Sequence, residues 1–252
     1  TVIRDREREI YWDIMYNLAH NKNKVTKINQ ALTAFNDKQD AEVKNKPVIR
    51  YKEGLSQNTI WANESLGIDP ATGREIFLDK NGEQTFVHNY DDEVVVGNSD
   101  PKVEGVIGTS FYYKGFSASV NLRYRLGGQI FMSTLYDKVE NISENALQYN
   151  QDKRALYDRW QKPGDKAKFK GISQTDITPI SSRFVQDNNY IAIESVRLAY
   201  EFPQRWMERI RFSGLTVSAY MNDICRFSTI KDERGISYPF ARSVSMSISV
   251  NF

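Results

Sequence analysis

The last thirteen residues of the chain, 240–252, alternate between apolar and polar side chains. One face carries an apolar row that only Arg242 interrupts, and the opposite face carries four serines together with Ala241 and Asn251. A period of two is typical of a β-strand with one apolar and one polar face. The sequence therefore predicts a long strand that ends on Phe252, in phase with the apolar face.

Six earlier segments alternate in the same manner and bring the number of predicted strands to seven. They span residues 7–20, 24–33, 103–113, 116–126, 190–202 and 212–221. Two long excursions, residues 34–102 and 127–189, follow the second and the fourth strand. Within the first excursion, Asn81 and Gly82 predict a type I′ turn between two short apolar runs, 76–78 and 85–87.

The connections between the predicted strands alternate in length. They are short after the first, third and fifth strands and long after the second and fourth. Outer-membrane β-barrels combine short periplasmic turns with long extracellular loops in this way. With the C-terminus in the periplasm, both excursions fall outside the cell. The predicted fold is therefore all-β, an antiparallel transmembrane β-barrel segment with long extracellular loops.

The odd number of strands adds a constraint. Single-chain bacterial barrels close with an even number of strands, and an open sheet edge is not tolerated in lipid. We therefore expect the seven strands to form part of a larger barrel wall. The opening Thr1-Val2, without an initiator methionine or a signal peptide, also leads us to expect a piece of a longer protein.

Composition is compatible with a barrel and with a soluble β-fold. No stretch approaches the roughly 20 apolar residues of a membrane-spanning helix, the mean hydropathy is −0.57, and 12% of the residues are aromatic. Half-apolar barrel strands produce such values, and so does the aromatic core of a β-sandwich. The formal net charge is only +2, from 34 basic and 32 acidic residues, so we expect no nucleic-acid partner.

Catalytic chemistry has few candidates in this sequence. The two histidines, His20 and His88, are far apart along the chain, and the single cysteine, Cys225, supports neither an internal disulfide nor a cysteine metal cluster. We therefore predict no enzyme activity, no metal site and no cofactor.

Three groups of residues are candidates for contacts or anchoring. Arg123 and Arg125 share the polar face of the fourth strand, where they contact an anionic substrate or simply charge a wet interior. The second excursion contains Tyr149, Tyr157 and Trp160, whose rings stack on sugars, dock a partner or pack the loop itself. Candidates for the interfacial aromatic girdles of a barrel are Trp12, Tyr16, Tyr200 and Trp206.

Several segments, in order along the chain, resemble one protein family. Residues 189–203 read NYIAIESVRLAYEFP and resemble the D-Y-I-R-L-x-N-x-x-L-x-Y-x-L-P strand near the C-terminus of SusC/RagA-type TonB-dependent outer-membrane transporters of Bacteroidetes. Ala192 and Glu194 depart from that pattern. Further segments that resemble the family are 67–74 (GIDPATGR), 97–102 (GNSDPK), 113–116 (YKGF), 157–165 (YDRWQKPGD), 217–224 (VSAYMNDI), 237–242 (SYPFAR) and the final Asn251-Phe252.

The resemblance implies a fold and a function. It identifies residues 1–252 with the C-terminal barrel portion of such a transporter, about seven strands of a barrel of the 22-stranded class, without the plug domain. Such transporters import oligosaccharides or peptides across the outer membrane of Gram-negative bacteria. Their partners are TonB, which acts through the plug, outer-membrane lipid, and a SusD-like surface lipoprotein. The resemblance also makes Phe252 a barrel-assembly signal.

Two other interpretations remain open on the sequence. A secreted β-sandwich that binds glycans would explain the alternation and the aromatic residues without a membrane. A small self-contained outer-membrane barrel would require one further strand beyond the seven that the pattern predicts.

Overall fold

The chain folds as two compact units. The computed structural model describes residues 2–5, 10–40, 46–172, 177–207, 209, 211–231 and 242–252. The sheet unit consists of Thr1–Asn21, Pro101–Gly127 and Asn188–Phe252, and the loop unit consists of Lys22–Asp100 and Gly128–Asp187. The two predicted excursions therefore build a single unit together.

The sheet unit contains seven antiparallel strands that pair in chain order. A short helix, Gln204–Met207, lies between the fifth and the sixth strand. The end of the sheet that carries the Lys114-Gly115 turn is called the turn end, and the opposite end the loop end. The strands are β1 (Val2–Asp5), β2 (Ile10–Ala19), β3 (Val103–Tyr113), β4 (Phe116–Leu126), β5 (Tyr190–Glu201), β6 (Gly214–Ser228) and β7 (Val244–Asn251).

The two faces of this sheet differ sharply in polarity. Strand register places the apolar row of β7 beside that of β6, for example Ile248 opposite Val217 and Met246 opposite Ala219, while Ser247 lies opposite Ser218 on the other face. Met246 is 76% exposed and Ile248 is 70% exposed. The apolar face is therefore open rather than packed against a second layer.

A β-bulge keeps both halves of β5 on the correct faces. Ile193 pairs with Leu122, but the next registered pair on the same strand is Ser195 with Asn121, so Glu194 is the extra residue. A bulge of one residue reverses the odd–even alternation. As a result Ile193 and Val196 share the apolar face although their positions differ in parity, which a simple period of two does not allow.

The predicted strand over residues 24–33 is wrong. Val25 and Ile28 are three positions apart and cannot share one face of a strand, and residues 20–29 have no regular secondary structure. Asn29 instead caps the helix Gln30–Asp40: its Oδ1 accepts a hydrogen bond from Leu32 N at 3.0 Å. The first excursion therefore starts at residue 20, not at residue 34.

The count of seven strands is nevertheless retained, because Val2–Asp5 forms a strand that the pattern did not predict. The segment predicted as residues 7–20 is β2, and its residues 7–9 lie outside the described part of the chain. β2 pairs directly with β3, Ile10 opposite Tyr113. With one strand lost after it and one gained before it, β2 runs opposite to the predicted direction.

Conventional packing builds the loop unit. Its predicted hairpin is confirmed, with Phe77 paired to Thr85, but Gly82 has a positive φ and Asn81 does not, so the turn is not type I′. Phe184, Ile180 and Val139 are fully buried in its core. Its strands are Thr59–Ala62, Ser65–Ile68, Glu75–Leu78, Gln84–Thr85, Val94–Asn98, Gln129–Phe131 and Val185–Asp187. Its remaining short helices are Tyr90–Asp92, Leu135–Glu140, Glu144–Gln148, Arg154–Tyr157 and Ser182–Phe184.

Within the described residues, none of the helices is long and apolar enough to cross a membrane. The terminal strand begins at Val244 in the structure, and residues 232–241, which include most of the segment SYPFAR, lie outside the described part of the chain.

Candidate functional site

The polar face of the sheet carries a group of charged side chains near the loop end. Arg123 of β4 forms an ion pair with Glu194, the bulge residue of β5, and its Nη2 donates to Glu194 Oε2 at 3.2 Å. Arg125 lies opposite Tyr190 in the strand register. The predicted arginine pair therefore lies on the polar face, and the bulge supplies its carboxylate.

Arg226 of β6 belongs to the same surface, and sequence analysis did not single it out. Its guanidinium carbon lies 3.9 Å from the centroid of the Tyr190 ring, a close cation–π contact. Register places Arg226 beside Ala192, which itself lies beside Arg123. The predicted sixth strand ended at Met221, whereas β6 continues to Ser228 through an irregular position at Asp223, which has a φ of 51°.

Aromatic side chains collect on the apolar face at the turn end. Three of the four girdle candidates, Trp12, Tyr200 and Trp206, lie at this level. The ring centroids of Tyr200 and Phe202 are 5.0 Å apart, and those of Phe202 and Trp206 are 6.3 Å apart. At the same end, Phe252 packs edge to face against Phe212 at 5.1 Å.

Tyr16 lies at a second aromatic level, closer to the loop end. Its ring stacks on Tyr124 with centroids 5.9 Å apart, and the Tyr124 hydroxyl donates to Tyr16 Oη at 2.9 Å. Gly105 of β3 makes room for this crossing, because a Cβ there would overlap the carbonyl oxygen of Asn17 and lie 2.6 Å from Tyr124 Oη. The four girdle candidates are therefore divided between two levels.

The distance between the two levels fits a membrane. Phe116 at the turn end and Tyr124 are eight positions apart on β4. At about 3.4 Å per residue this spans about 27 Å along the strand, or about 21 Å along a barrel axis for a tilt of about 40°. Outer-membrane barrels present an apolar band about 25 Å tall between aromatic girdles.

The three aromatic candidates in the loop unit do not form one stacking platform. Tyr149 and Tyr157 are each 75% exposed. Trp160 is held inside its unit: its Nε1 donates to Pro70 O at 2.9 Å, and a Cβ on Gly73 would lie 2.5 Å from its ring. Trp160 therefore packs the loop unit, whereas the two tyrosines are available to a partner or substrate.

A buried ion-pair cluster joins the two excursions. Arg183 from the second excursion lies 2.8 Å from Glu75 of the first and 2.9 Å from Glu140. Burial alone would lower the pKa of Arg183, but hydrogen bonds and charge from Glu75 and then Glu140 outweigh burial and raise this pKa. Ser181 also donates to Glu75 at 2.5 Å. The cluster therefore connects the two excursions inside one unit.

Comparison with known proteins identifies relatives. No protein-family profile matches the chain. The TonB-dependent receptor P39 of Formosa agariphila is 25% identical over 160 residues, which are 62% of this chain and 15% of the receptor. The RagAB peptide importer in the open-open state has a TM-score of 0.74 at 16% identity, over 100% of this chain and 27% of the importer chain. For the closed-closed state the TM-score is 0.72 at 17% identity, over 100% and 28%.

These findings confirm the resemblance and the fold class. The chain is similar to part of a TonB-dependent transporter, and its antiparallel sheet has the fold of the corresponding part of the RagAB importer. It spans 15% of the curated receptor and about a quarter of the solved chains.

Proposed function

We propose that residues 1–252 form the C-terminal barrel portion of a TonB-dependent outer-membrane importer of oligosaccharides or peptides. The plug and the other barrel strands belong to the rest of that transporter, and TonB acts through the plug. In this arrangement the apolar face of β2–β7 contacts lipid, and the polar face with Arg123, Arg125 and Arg226 lines the lumen.

The observation that carries this proposal is the exposed apolar face bounded by two aromatic levels. In water such a face would cost about 25 cal/mol for each Å² left uncovered, whereas in lipid it is the expected surface of a barrel wall. A secreted β-sandwich would bury this face against a second sheet. In the described residues of the sheet unit, Val244, Met246 and Ile248 have no such cover and are more than 60% exposed.

The small self-contained barrel is also disfavoured. In the described part of the chain, β1 and β7 are the two ends of the sheet order and do not pair with each other. A closed barrel requires that pairing, because each unpaired backbone group costs several kcal/mol in lipid. The proposal therefore assigns the partners of both edge strands to the rest of the transporter.

The remaining features follow from this orientation. The C-terminus with Phe252 lies in the periplasm, where Phe252 serves as the barrel-assembly signal, and the loop unit lies outside the cell. A SusD-like lipoprotein caps the barrel there, and Tyr149 and Tyr157 are the side chains through which the loop unit meets it or the substrate. Trp12, Tyr200 and Trp206 form a periplasmic girdle, and Tyr16 belongs to the outer one.

Cysteine labelling in intact cells tests the orientation. In a Cys225→Ser background of the full transporter, Tyr149→Cys should react with a membrane-impermeant maleimide, because this side chain is exposed in the loop unit. Lys114→Cys, at the turn end, should react only after the outer membrane is opened. Labelling is read by mass shift of the transporter.

The control for this experiment is detergent-solubilised transporter, in which both cysteines should react fully. Labelling of Lys114→Cys and not Tyr149→Cys in intact cells would reverse the proposed orientation. Equal labelling of both, in a protein recovered from the soluble fraction, would overturn the membrane-wall proposal altogether.

A further inference from the structure

A pocket in the loop unit borders the buried ion-pair cluster through Glu75 and is not part of the barrel wall. It has a volume of about 340 Å³ and is formed by the 72–75 segment, the strand region around Phe86, and the segments around Trp160 and Ile177. Pockets of this size hold small ligands or one unit of a longer one. Its walls combine apolar rings and aliphatic side chains with a few polar groups.

Glu75 is the one carboxylate among the described residues of this wall, and it is already engaged by other side chains of the loop unit. Glu75 Oε2 accepts from Arg183 at 2.8 Å and its Oε1 accepts from Ser181 at 2.5 Å, and the residue is buried. Both carboxylate oxygens of Glu75 therefore already accept hydrogen bonds within the loop unit. The cations among the described lining residues are Arg74 and Lys170.

Arg74 is the cation of this wall whose position is fixed by contacts with a neighbouring lining residue. Its guanidinium lies 5.0 Å from the centroid of the Phe86 ring, and Nη2 donates to the Phe86 carbonyl at 3.4 Å. Among the described residues Arg74 has no carboxylate partner. A planar guanidinium on an aromatic ring keeps further donors for a carboxylate, which it binds in a bidentate manner.

The turn before Arg74 fixes the backbone from which that side chain projects. Asp69 accepts from Thr72 Oγ1 at 2.6 Å and its backbone N donates to Arg74 O at 2.8 Å. The hydrogen bond from Thr72, followed by that from Ala71, lowers the pKa of Asp69. Gly73, with a φ of +70°, lets the turn pack on Trp160.

Apolar groups complete the recognition surface. Trp160 and Phe77 line the pocket, and the aliphatic side chains of Ile172 and Ile177 lie at its rim, where they are 66% and 74% exposed. Such a rim is covered when a ligand with an apolar or ring-shaped body occupies the pocket. The surface therefore combines the cations Arg74 and Lys170 with an apolar platform.

We infer that this pocket binds the carboxylate group of the imported ligand, with Arg74 as the carboxylate receptor and Trp160 and Ile177 as the contact for the adjoining ring or side chain. This inference rests on the proposed import function and names a chemical feature of its substrate. Two sources supply the chemistry: the free C-terminus of a peptide and the uronate of an acidic oligosaccharide.

Isothermal titration calorimetry on the full transporter in detergent tests the inference. The probes are a short peptide with a free or an amidated C-terminus, and an oligogalacturonide as the free acid or the methyl ester. Because the neutral form loses a charge-assisted hydrogen bond, the free acid of the correct source should bind about tenfold or more tightly than its neutral form. If the peptide shows this preference, the ligand is a peptide with a free C-terminus; if the oligogalacturonide shows it, the ligand is an acidic oligosaccharide.

Variants locate the preference. Arg74→Ala should abolish it, and Arg74→Lys should reduce it because the planar pair of donors is lost. Lys153→Ala is the matched control: it removes one positive charge from an exposed position of the loop unit outside the pocket and should preserve the preference. A free-acid preference that survives Arg74→Ala, or the lack of one for both ligand pairs, would overturn the inference.

Uptake by cells and cell fractionation test the proposed function separately from the carboxylate site. TonB-dependent uptake of a labelled peptide or oligosaccharide by cells, with no acid preference in calorimetry, would reject the carboxylate site and keep the importer. Recovery of the protein in the soluble fraction would reject the importer itself.

Discussion

The sheet unit and the loop unit distribute their apolar residues in opposite ways. In the sheet unit Met246, Ile248 and Phe227 are at least 70% exposed on one face. In the loop unit Phe184, Ile180 and Val139 are fully buried. One chain therefore contains a unit whose apolar side chains point outward and a unit with an ordinary core.

This difference indicates which interactions stabilise each unit. The sheet unit depends on its antiparallel backbone ladders and on cross-strand pairs such as Tyr16 with Tyr124. The loop unit, which contains only short strands and helices, depends on apolar burial and on the Arg183 cluster. The same type of substitution should therefore have different consequences in the two units.

An arginine comparison gives the largest expected effect. Arg183→Met leaves Glu75 and Glu140 buried without their cation and should destabilise the loop unit by about 3–5 kcal/mol. Arg123→Met removes an ion pair whose side chains are 50% and 35% exposed and should cost at most about 1 kcal/mol. Urea-dependent proteolysis of the full transporter in detergent measures both. Equal losses would show that burial does not distinguish the two pairs.

The contacts between the two excursions also determine which variants can test the role of the loop unit. Deleting residues 127–189 would remove Arg183 and Ser181 and leave Glu75 of the first excursion unpaired. Loss of uptake after such a deletion would report an unfolded unit rather than a lost contact. Substitutions at exposed positions are the informative alternative.

The second-largest expected effect is the difference between a lysine on the apolar face and a lysine on the polar face of β7. Ile248→Lys puts an ammonium on the apolar face near the middle of the strand, at a cost of about 2–4 kcal/mol in lipid. Ser247→Lys puts the same charge on the polar face and should cost little. The amount of heat-modifiable, folded transporter in outer-membrane fractions measures the difference. If both variants assemble equally well, the apolar face does not contact lipid.

Much of the sheet could be predicted from alternation alone, because a strand with two different solvents keeps a period of two. β4 and β3 were predicted with the bounds that the structure has. The errors occur where the period breaks. The bulge at Glu194 reverses the phase of β5, the irregular position at Asp223 interrupts the register of β6 with β5, and Val2–Asp5 is too short to show a pattern.

The loop unit was less predictable, because its structure depends on contacts that are distant in sequence. Glu75 and Arg183 are 108 positions apart, and no local pattern marks them as partners. Trp160 could be read equally as a sugar platform or as packing, and only Gly73 and the Pro70 carbonyl show that it packs its own unit. The contact candidates Tyr149 and Tyr157 stay a prediction.

The smallest expected effect on stability concerns those two tyrosines, which are as exposed as Met246 and Ile248 of the sheet. Because neither is buried, Tyr149→Ala with Tyr157→Ala should change the stability of the loop unit by no more than about 0.5 kcal/mol. As exposed aromatic anchors they should matter to a partner, where a contact of this type contributes more than about 1 kcal/mol. Co-purification of the surface lipoprotein with the full transporter should therefore fall several-fold, while Lys153→Ala leaves it unchanged. Unaltered co-purification would assign the exposed tyrosines no role in capping and would leave the carboxylate pocket as the functional feature of the loop unit.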